Sequence, residues 1–385
     1  MTEQAAEPIH ITHLVWHFAT GGLENGLVNL INQLPPDKFR HSIVTLTGFD
    51  TEFVKRIQSN NVCLYNLEKR EGHDWSLPGK LNRLLKQLQP DVLHSRNLAT
   101  LELQAVGWWR KVPLRLHGEH GWDSYDVGGS NKKYRLLRRL LKVFVHQYIC
   151  LSAESEHYLK QHIHLADDKI RRICNGVDID KFSLAQPADL STFAIAANNP
   201  PLLIGTVGRL AKVKNQALLI NAFALLCRQQ PQLKQGCKLL LIGDGPCRQE
   251  LQQLTEQHQL SAGIIFAGNR ADIAQLMQRL DVFVLPSLAE GISNTILEAM
   301  ASGTPVIATA VGGNPELLPQ ELHSTNLVPS ADVQALASAL LRYIQSPPAR
   351  EADGLLVKKH CQQHFSIATM VQRYRTLYEM TRKQT

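Results

Sequence analysis

The feature that most constrains the fold is one plan that the sequence carries twice. Residues 9–34 run from a strand-like segment through a glycine turn into apolar residues at helical spacing, and residues 201–226 repeat that plan. Each copy opens a series of short Val-, Ile- and Leu-rich segments that alternate with helical patterns. Near-continuous apolar strands of this kind are typical of parallel sheets covered by helices on both faces. The sequence therefore predicts an α/β fold with two doubly wound, Rossmann-like domains.

The domain boundary is predicted within residues 175–201, which are rich in Pro, Asn and Ala and have no clear period. This gives a first domain over 1–185, a second over 199–365 and a terminal helical segment over 366–385. Two such domains facing each other would form their binding site in the cleft between them. The strands predicted after the opening copies are 41–47, 91–95, 112–120 and 146–152 in the first domain and 237–245, 263–268, 281–287 and 304–310 in the second.

Composition narrows the class of protein. The chain has 385 residues, which is long for one domain and comfortable for two. Its seven cysteines are scattered and never spaced as C-x-x-C, which argues against a disulfide framework or a zinc site and for a reducing cytoplasm. No apolar run reaches the length of a membrane span, and the first residues lack the features of a secretory signal. We therefore expect a cytoplasmic protein.

The net charge of +7 favours anionic partners. Phosphate-bearing substrates, an anionic membrane face and nucleic acid all carry that charge, and the balance of charges alone does not choose among them.

Two glutamates eight positions apart follow the strand predicted at 281–287. Glu290 falls in the loop after that strand. Thr295 and Glu298 match the capping box S/T-x-x-E, which predicts that the next helix begins near residues 293–295, with Glu298 in its first turn. Open α/β sheets bind ligands at the carboxyl ends of their strands, so both glutamates lie at a predicted binding edge.

The loop between these glutamates has the features of an anion site. Free backbone N–H groups of residues 292–296 would point at a ligand from the start of the helix. A carboxylate beside bound phosphate would be repelled, so Glu290 and Glu298 are better suited to the hydroxyl groups of a ribose or a sugar. The alternative is that Glu298 only caps its helix and that Glu290 is solvated.

Three glycine turns follow strands. The loop at 208–215 carries Arg209 and Lys214 after a glycine, which suits a diphosphate; the alternative is a solvated basic loop. Its counterpart in the first domain, with Gly21 and Gly22, resembles a phosphate cradle but fits neither G-x-G-x-x-G nor the P-loop, which disfavours a dinucleotide-dependent dehydrogenase. The third turn, at 242–246, is of a kind that is usually structural.

The segment 116–123 sets four polar residues, His117, Glu119, His120 and Asp123, at the end of a predicted strand. Metal binding is one interpretation, but two histidines three apart in an irregular turn make a poor zinc site. A polar cluster that binds sugar hydroxyls or transfers protons is the better one. We favour His120 as the working residue because it falls in the loop, just before a glycine.

The helix predicted over 131–144 is amphipathic. Its cations share one face, and its leucines and Phe144 take the other. Either a solvated face or a surface against anionic lipid accounts for this pattern, so peripheral association with the inner face of a membrane is a second expectation. The four cations are Arg135, Arg138, Arg139 and Lys142.

Over nearly its whole length the chain resembles the GT-B glycosyltransferases of family 4, also called glycosyl transferases group 1. The strongest shared motif is E-x7-E, here Glu290 to Glu298. The first domain also resembles, through residues 21–35 and 117–123, a subgroup of bacterial sugar transferases associated with exopolysaccharide and exosortase loci. The supporting motifs are CNGVD at 174–178, GRLAKVKN at 208–215, IGDGP at 242–246, FAGNRADI at 266–273 and GGNPE at 312–316.

The resemblance implies a retaining, metal-independent transferase of the hexosyltransferase type. It would move a sugar from a nucleotide diphosphate-sugar to a glycan or lipid-linked acceptor, without a cofactor and without a nucleic-acid partner. The terminal helix would cross back to the first domain.

The resemblance also assigns roles to residues. Glu290 and His120 would be catalytic, and His117 and Glu119 would lie on the acceptor side. The residues matched to donor binding are Arg209, Lys214, Glu298, Gly291, Ile292, Ser293, Asn294, Gly21 and Gly22.

Two departures from the family pattern leave the donor sugar open: Asn215 replaces the usual glycine after the lysine, and GISN replaces the commoner GFGL. The rival functions are a GT-B nucleotide-sugar epimerase and a non-enzymatic protein that binds anions or membranes. The first would need a different set of acid and base residues. The second explains the charge but not the two glutamates.

Overall fold

The glycine turns predicted at residues 21–22 and at residue 208 each follow the first strand, in chain order, of a parallel sheet. The structure, a computed structural model, describes residues 7–121, 126, 129–193, 195 and 200–383. The chain forms two compact units: the first unit comprises residues 1–176 and 367–385, and the second unit comprises residues 177–366. Each unit contains one parallel sheet, so the predicted α/β class with two doubly wound domains is confirmed.

The described strands number thirteen, seven in the first unit and six in the second. In chain order they are β1 (Ile9–Val15), β2 (Phe39–Thr45), β3 (Val62–Asn66), β4 (Val92–Arg96), β5 (Leu114–Glu119), β6 (Gln147–Cys150), β7 (Ile170–Arg172), β8 (Leu202–Val207), β9 (Cys237–Ile242), β10 (Ile264–Gly268), β11 (Val282–Leu285), β12 (Val306–Thr309) and β13 (Leu327–Val328).

The α-helices connect and cover these strands. They are α1 (Gly22–Gln33), α2 (Thr51–Val54), α3 (Leu77–Leu88), α4 (Leu98–Leu101), α5 (Gln104–Trp109), α6 (Lys132–Leu141), α7 (Ala153–Gln161), α8 (Ile179–Ser183), α9 (Gln216–Gln229), α10 (Leu233–Gly236), α11 (Arg248–Gln257), α12 (Ile273–Met277), α13 (Asn294–Ser302), α14 (Asn314–Leu317), α15 (His323–Asn326), α16 (Val333–Gln345), α17 (Pro347–His364) and α18 (Ile367–Tyr378).

Strand order places a topological switch point in each sheet. The first sheet runs β3-β2-β1-β4-β5-β6-β7 and the second runs β10-β9-β8-β11-β12-β13. The order reverses between β1 and β4 and again between β8 and β11. Loops that leave the carboxyl ends of those strands diverge to opposite faces, which opens a crevice where ligands bind. The glycine turns after β1 and β8 lie at these points.

The core of the second unit follows from the helical spacing that the sequence displays. Helix α9 buries Leu219, Ala222, Phe223 and Leu226 in a single cluster with the apolar strands of the sheet. Each such leucine or phenylalanine contributes about 1.5–3 kcal/mol when it is removed from water. Residues of α16 belong to the same cluster, so the helix that follows β13 packs against the sheet and helps to cover it.

Helix α18 belongs to the first unit, although it follows the last helix of the second. Met370, Tyr374 and Tyr378 are buried in one cluster with Ile9 and Phe39 of β1 and β2. The terminal segment thus completes the core of the first sheet.

The chain leaves the first unit at residue 176, earlier than the boundary predicted at 185. The amide of Val177 donates to the carbonyl of Phe365 over 2.8 Å, so the outgoing and returning segments pair. Phe182 of α8 is buried in the second unit, where its carbonyl accepts a hydrogen bond from Gln278. This packing assigns α8 to the second unit.

Histidines occupy the interior of the first sheet. His13, His41 and His94 are buried, and Arg96 donates to Nδ1 of His13 at 3.1 Å and to Nδ1 of His94 at 3.2 Å. Arginine can only donate, so His13 carries its proton on Nε2 and donates it to Nδ1 of His41 over 3.0 Å. Burial lowers the pKa of His13 and His94 well below the usual value and that of His41 to about 3, so all three are neutral.

We predict that these neutral histidines make the fold sensitive to acid. Below pH 6.5 these histidines take up protons in the unfolded chain but not in the folded one. For each such histidine, the free energy of unfolding therefore falls by about 1.4 kcal/mol per pH unit. His41→Asn, whose Oδ1 replaces the Nδ1 acceptor, should flatten the fall in stability between pH 6.5 and 5. Thermal denaturation across that range measures this slope. The exposed His73, replaced by Asn, is the control, and equal slopes for all three proteins would contradict the assignment.

Candidate functional site

Two loops join at the switch point of the second sheet. The loop after β8 meets the loop after β11 through a hydrogen bond from the amide of Leu288 to the carbonyl of Val213, at 2.8 Å. Next to it, Nζ of Lys214 forms an ion pair with Oε1 of Glu290 at 2.6 Å. The hydroxyl of Ser287 donates to the same carboxylate oxygen at 2.6 Å. The structure therefore brings together Lys214 and Glu290, which are 76 positions apart in the sequence.

Sequence reasoning missed the residues that hold Glu290 in place. Ser287 is fully buried, and its carbonyl accepts a hydrogen bond from the Thr309 hydroxyl at 2.7 Å. Gly312 lies so close behind Glu290 that a Cβ there would come within 1.9 Å of the Glu290 carbonyl oxygen. The amide of Gly313 donates to the carbonyl of Gly291 at 2.9 Å. The GGNPE motif could have indicated this contact, because paired glycines permit two backbone segments to pack closely.

Helix α13 begins where the sequence predicted, but its cap is a different residue. Ser293 is the N-cap, and its hydroxyl accepts a hydrogen bond from the amide of Ile296. The predicted capping box of Thr295 and Glu298 is therefore wrong, and the amide of Ile296 is not free for a ligand. Asn294 is the first residue of the helix, and Gly291 and Ile292 are partly buried in the loop before it.

Glu298 faces a different environment from that of Glu290. It falls just beyond the first turn of α13 and is partly buried, and its carboxylate forms no hydrogen bond or ion pair with the described residues. Burial raises the pKa of Glu298 to about 7, against a weaker opposing effect of Lys181. Near neutral pH the Glu298 side chain is therefore protonated in part of the molecules and ionised in the rest. A protonated carboxyl can donate a hydrogen bond to one hydroxyl while it accepts one from another.

The two predicted cations of the β8 loop lie in different settings. Arg209 is exposed, and its guanidinium forms no ion pair within the part of the chain that the structure describes. Lys214 ends a 3₁₀ turn, and Asn215 after it has a left-handed backbone, with φ 48°. That conformation explains why glycine is usual there, and asparagine is among the residues that tolerate it.

The glycines of the turn after β9 have a packing role. A Cβ at Gly243 would come within 2.1 Å of the Gly208 carbonyl oxygen, and one at Gly245 within 2.4 Å of the Leu210 carbonyl oxygen. The turn at 242–246 therefore supports the backbone of the Arg209 loop from behind. The interpretation of this turn as structural agrees with these contacts.

In the first unit, Gly21 is the N-cap of α1 and Gly22 is its first residue. The cradle they form already holds an anion, because the Glu24 carboxylate folds back over Gly21, where a Cβ would meet Glu24 Oε2 at 2.2 Å. Burial raises the pKa of Glu24. A phosphate at this helix start would require Glu24 to take up a proton or to move.

The structure separates His120 from His117 and Glu119. The imidazole of His120 folds over Gly118, and neither ring nitrogen has a hydrogen-bond partner among the described residues. Burial, together with the nearby Arg96 charge, lowers the pKa of His120 to about 3, so the ring is neutral. His117 is fully buried and hydrogen-bonds Ser95 at 2.7 Å. Both ring nitrogens of His120 are themselves buried, so the preference for His120 over His117 stays a prediction.

Glu119 is bound to a cation in the interior. Arg138 reaches Oε1 of Glu119 at 2.8 Å and Oδ2 of Asp126 at 2.7 Å, and all three side chains are buried. Burial alone would favour the neutral acid, but Arg138 lowers the pKa of Glu119 to about 2. The placement of His117 and Glu119 on an acceptor side is thus not supported, because neither is accessible. Asp123 lies outside the described residues.

The predicted amphipathic helix is rotated from the expected orientation, with cations on its inner side. Arg138 is buried in the ion pairs just described, Arg139 donates to the carbonyl of His162, and Lys142 donates to two backbone carbonyls. The apolar face is divided: Tyr134, Leu137 and Leu141 pack against a buried cluster, and the other apolar residues are exposed. Its outward residues are Leu136 (58% exposed), Leu140 (62%) and Val143 (65%), and Trp108 and Trp109 of the neighbouring α5 are 51% and 71% exposed.

The described residues lack two features that would imply other functions. They contain no group of three or more His, Cys, Asp or Glu side chains arranged to hold a metal ion. No helix among them is both long and apolar enough to cross a membrane.

Comparison with known families gives two matches that together span most of the chain. The family model for glycosyl transferases group 1 matches residues 201–346, and the model for Glycosyltransferase Family 4 matches residues 20–181. The first match lies within the second unit, and the other covers most of the first unit and ends five residues into the second.

Individual proteins match over similar lengths. The UDP-Gal:alpha-D-GlcNAc-diphosphoundecaprenol alpha-1,3-galactosyltransferase of Escherichia coli is 27% identical over 309 residues, 77% of each chain. The putative glycosyltransferase EpsF of Bacillus subtilis is 26% identical and covers 77% of this chain and 78% of its own. Among solved structures, HepE from Anabaena in complex with UDP superposes with a TM-score of 0.80 over 97% of this chain and 100% of its own, at 21% identity.

We predict that Gly312→Ala disrupts the support of Glu290. The new Cβ would overlap the Glu290 carbonyl, and φ at this position is +55°, which side chains rarely adopt. The second unit should lose more than about 1 kcal/mol of unfolding free energy, read from urea denaturation. Gly263→Ala is the matched control, because the nearest atom to its new Cβ lies at 3.5 Å. Equal stability of the two variants would show that residues 312 and 290 are not packed as described.

Proposed function

The chain belongs to glycosyltransferase family 4 and has its GT-B fold, and we propose that it is a retaining, metal-independent hexosyltransferase. It takes a sugar from a nucleotide diphosphate-sugar and transfers it to a hydroxyl of a glycan or lipid-linked acceptor. The observation that carries the proposal is the pairing of Lys214 and Glu290 at the switch point of the second sheet, with the unpaired Glu298 eight residues on.

Arg209 and Lys214 suit the diphosphate of the donor. The guanidinium of Arg209 is exposed and without an ionic partner in the described structure, so it is available for two phosphate oxygens. Lys214 is 28% exposed and can bind phosphate on the side away from Glu290. As the nucleotide diphosphate leaves, its charge grows, and cations already in place stabilise it there. These cations supply the charge neutralisation that a metal ion would otherwise provide.

Glu298 suits the ribose of the donor. Its carboxyl is partly buried and has no protein partner in the described residues, and its raised pKa lets it both accept and donate hydrogen bonds. A pair of neighbouring hydroxyls satisfies such a group better than a phosphate, which would repel it.

Glu290 suits the transferred sugar. Its Oε1 is occupied by Lys214 and Ser287, which leaves Oε2 to hydrogen-bond a sugar hydroxyl and to face the positive charge that develops at C1. The bond from C1 to the diphosphate oxygen breaks with its electron pair, and an acceptor oxygen bonds to C1 on the same face. The acceptor proton passes to the departing diphosphate. The unprotonated ring nitrogen of the neutral His120 imidazole is proposed to accept a hydrogen bond from a sugar hydroxyl, which leaves the N–H of the ring for another group.

The relatives favour a uridine donor and a lipid-linked acceptor. The Escherichia coli relative is named for UDP-Gal and for an acceptor linked to diphosphoundecaprenol, and the Anabaena structure holds UDP. We extend both features to this chain and propose a role in bacterial exopolysaccharide synthesis. A thermal-shift screen across UDP-, GDP- and ADP-sugars tests the base directly.

We predict that three variants separate donor binding from transfer. Lys214→Ala and Glu298→Ala should weaken nucleotide-sugar binding about tenfold or more in calorimetry, because each removes a hydrogen bond to a charged group. Glu290→Gln should lower kcat about a hundredfold with donor affinity kept or improved, since it releases Lys214 for phosphate. Lys212→Ala, in the same turn but exposed, is the matched control.

Unchanged donor affinity in both Lys214→Ala and Glu298→Ala would overturn this site. Product analysis by NMR separates the rival functions. A transferase yields a glycosylated acceptor, whereas an epimerase yields an altered nucleotide-sugar with no acceptor added. Binding without turnover for any acceptor would favour a non-enzymatic role.

Peripheral membrane association is proposed through the apolar surface of the first unit. This surface comprises Trp108 and Trp109 of α5 and Leu136, Leu140 and Val143 of the α6 region, and the rings of Trp108 and Phe144 are 5.5 Å apart. Exposed indoles favour the boundary between headgroups and acyl chains. The exposed Lys111, Lys132 and Lys133 flank the surface, and their charge matches anionic lipid.

We predict that Trp108→Ser combined with Trp109→Ser reduces flotation with phosphatidylglycerol-containing vesicles severalfold. Trp75→Ser is the matched control, because Trp75 is 85% exposed but lies in a different segment, outside the apolar surface. Arg138 should not be chosen for this test, since its loss would break a buried ion pair and unfold the region. Equal flotation of both tryptophan variants, or no flotation of the parent, would remove the proposed surface.

A further inference from the structure

A small pocket in the first unit has one polar end. It lies between the first half of α1, the carboxyl ends of β4 and β5, and α18. Leu23, Leu27 and Met370 form part of its apolar wall, whereas Arg96, His120 and Asn175 supply the polar end. All of these residues belong to the first unit, so the pocket is formed without any contribution from the candidate donor site of the second.

Arg96 is a buried cation without a carboxylate. Only 3% of the residue is exposed, and in the described part of the chain its side chain hydrogen-bonds only neutral groups: Nδ1 of His13, Nδ1 and the carbonyl of His94, and the Tyr378 hydroxyl. No ion pair of the described residues includes it. Both histidines are neutral, so their nitrogens accept hydrogen bonds but supply no counter-charge. A charge taken out of water is costly unless it is paired, so an anion is the missing partner.

Glu24 is the acidic residue whose charge acts on Arg96, but it does not fill that role. Its carboxylate lies over Gly21 at the start of α1 and forms no ion pair with Arg96. Burial raises the pKa of Glu24 in spite of the arginine. Glu24 therefore does not neutralise the charge of Arg96 at the polar end of the pocket.

His120 presents a second unmatched group to the same pocket. Both of its ring nitrogens are buried without a hydrogen-bond partner among the described residues, and one of them must carry a proton. The Nε2 of His94 is also buried without a partner, and its proton is on that atom because Nδ1 accepts from Arg96. Two imidazole N–H donors thus lie without an acceptor among the described residues of the first unit, close to a guanidinium whose charge no carboxylate there balances.

We propose that this pocket binds an oxyanion, a carboxylate or a phosphate group, which accepts from Arg96 and His120 while its carbon skeleton lies against the leucines of α1. Resting on the proposed function, we assign this group to the acceptor, because the cations suited to the donor diphosphate are in the second unit. The transferase would then select acceptors that carry an acidic group near the hydroxyl to be glycosylated.

Gly26 allows the pocket to be closed without touching Arg96. A Cβ at Gly26 would meet nothing nearer than Asn175 Oδ1 at 4.0 Å, so Gly26→Ala fits, whereas Gly26→Leu would extend into the pocket. Arg96→Gln removes the charge instead. Both changes are made in a protein that also carries Arg209→Gln and Lys214→Gln, which removes the donor-site cations and their own affinity for anions.

Calorimetric titration with inorganic phosphate and, separately, with sodium acetate tests the proposal, with sodium chloride as the control salt. We expect saturable binding of one probe or both, at least tenfold weaker in Gly26→Leu and Arg96→Gln and unchanged in Gly26→Ala. Preference for phosphate would indicate a phosphorylated acceptor, and preference for acetate a carboxylate-bearing one. Circular dichroism confirms that each variant is folded.

No saturable binding, or binding that Gly26→Leu leaves intact, would overturn the proposal. Because the titrated protein lacks the donor-site cations, this result does not depend on whether the chain transfers sugar. Failure of the parent to bind any nucleotide-sugar would count against the proposed function alone.

Discussion

Everything chemical in this chain depends on where two parallel sheets reverse their strand order. The order changes beside β1 in the first sheet and beside β8 in the second, and the loops that leave the strands at those points diverge. Because β8 and β11 are neighbours in the sheet, the ends of the loops that follow them lie side by side, and Lys214 reaches Glu290 across 76 positions of sequence. In the first unit the same geometry brings Arg96 at the end of β4 beside His120 after β5. Strand order, more than any single motif, assembles the candidate site.

The long central strands and the glycine turns were predictable because burial on both faces leaves an unbroken apolar run. Three short strands were missed: β3, β7 and β13. β3 is the longest of them, and none of its residues is fully buried; β13 has only two residues. An edge strand has one neighbour and one wet side, so its sequence carries little of the apolar signal that marks a central strand. The positions of these strands are set by pairing with their neighbours in the sheet, and the local sequence does not specify that pairing directly.

The site could be predicted in part. Motif spacing placed Glu290 after a strand, where it lies, and Glu298 in the first turn of the following helix, whereas it lies just beyond that turn. The same reasoning chose Thr295 as the cap, whereas Ser293 takes that role, because a capping box and a plain serine cap two residues apart are equally good local patterns. The supports of Glu290 could not be found in this way. Ser287 and Gly312 act through contacts between segments, and no local pattern in either segment specifies its partner.

The largest reversal concerns α6, and its cause is a balance of charges that only the folded chain displays. An amphipathic helix with four cations on one face is ordinarily expected to turn that face toward solvent. Here Arg138 faces inward because Glu119 and Asp126 meet it there, and two carboxylates around one guanidinium satisfy a buried charge. Arg96 is just as deeply buried in the same unit, yet neutral histidines surround it. The fold pairs the buried Arg138 with two carboxylates and leaves Arg96 facing a pocket, and that contrast within one unit is the argument for a bound anion at Arg96.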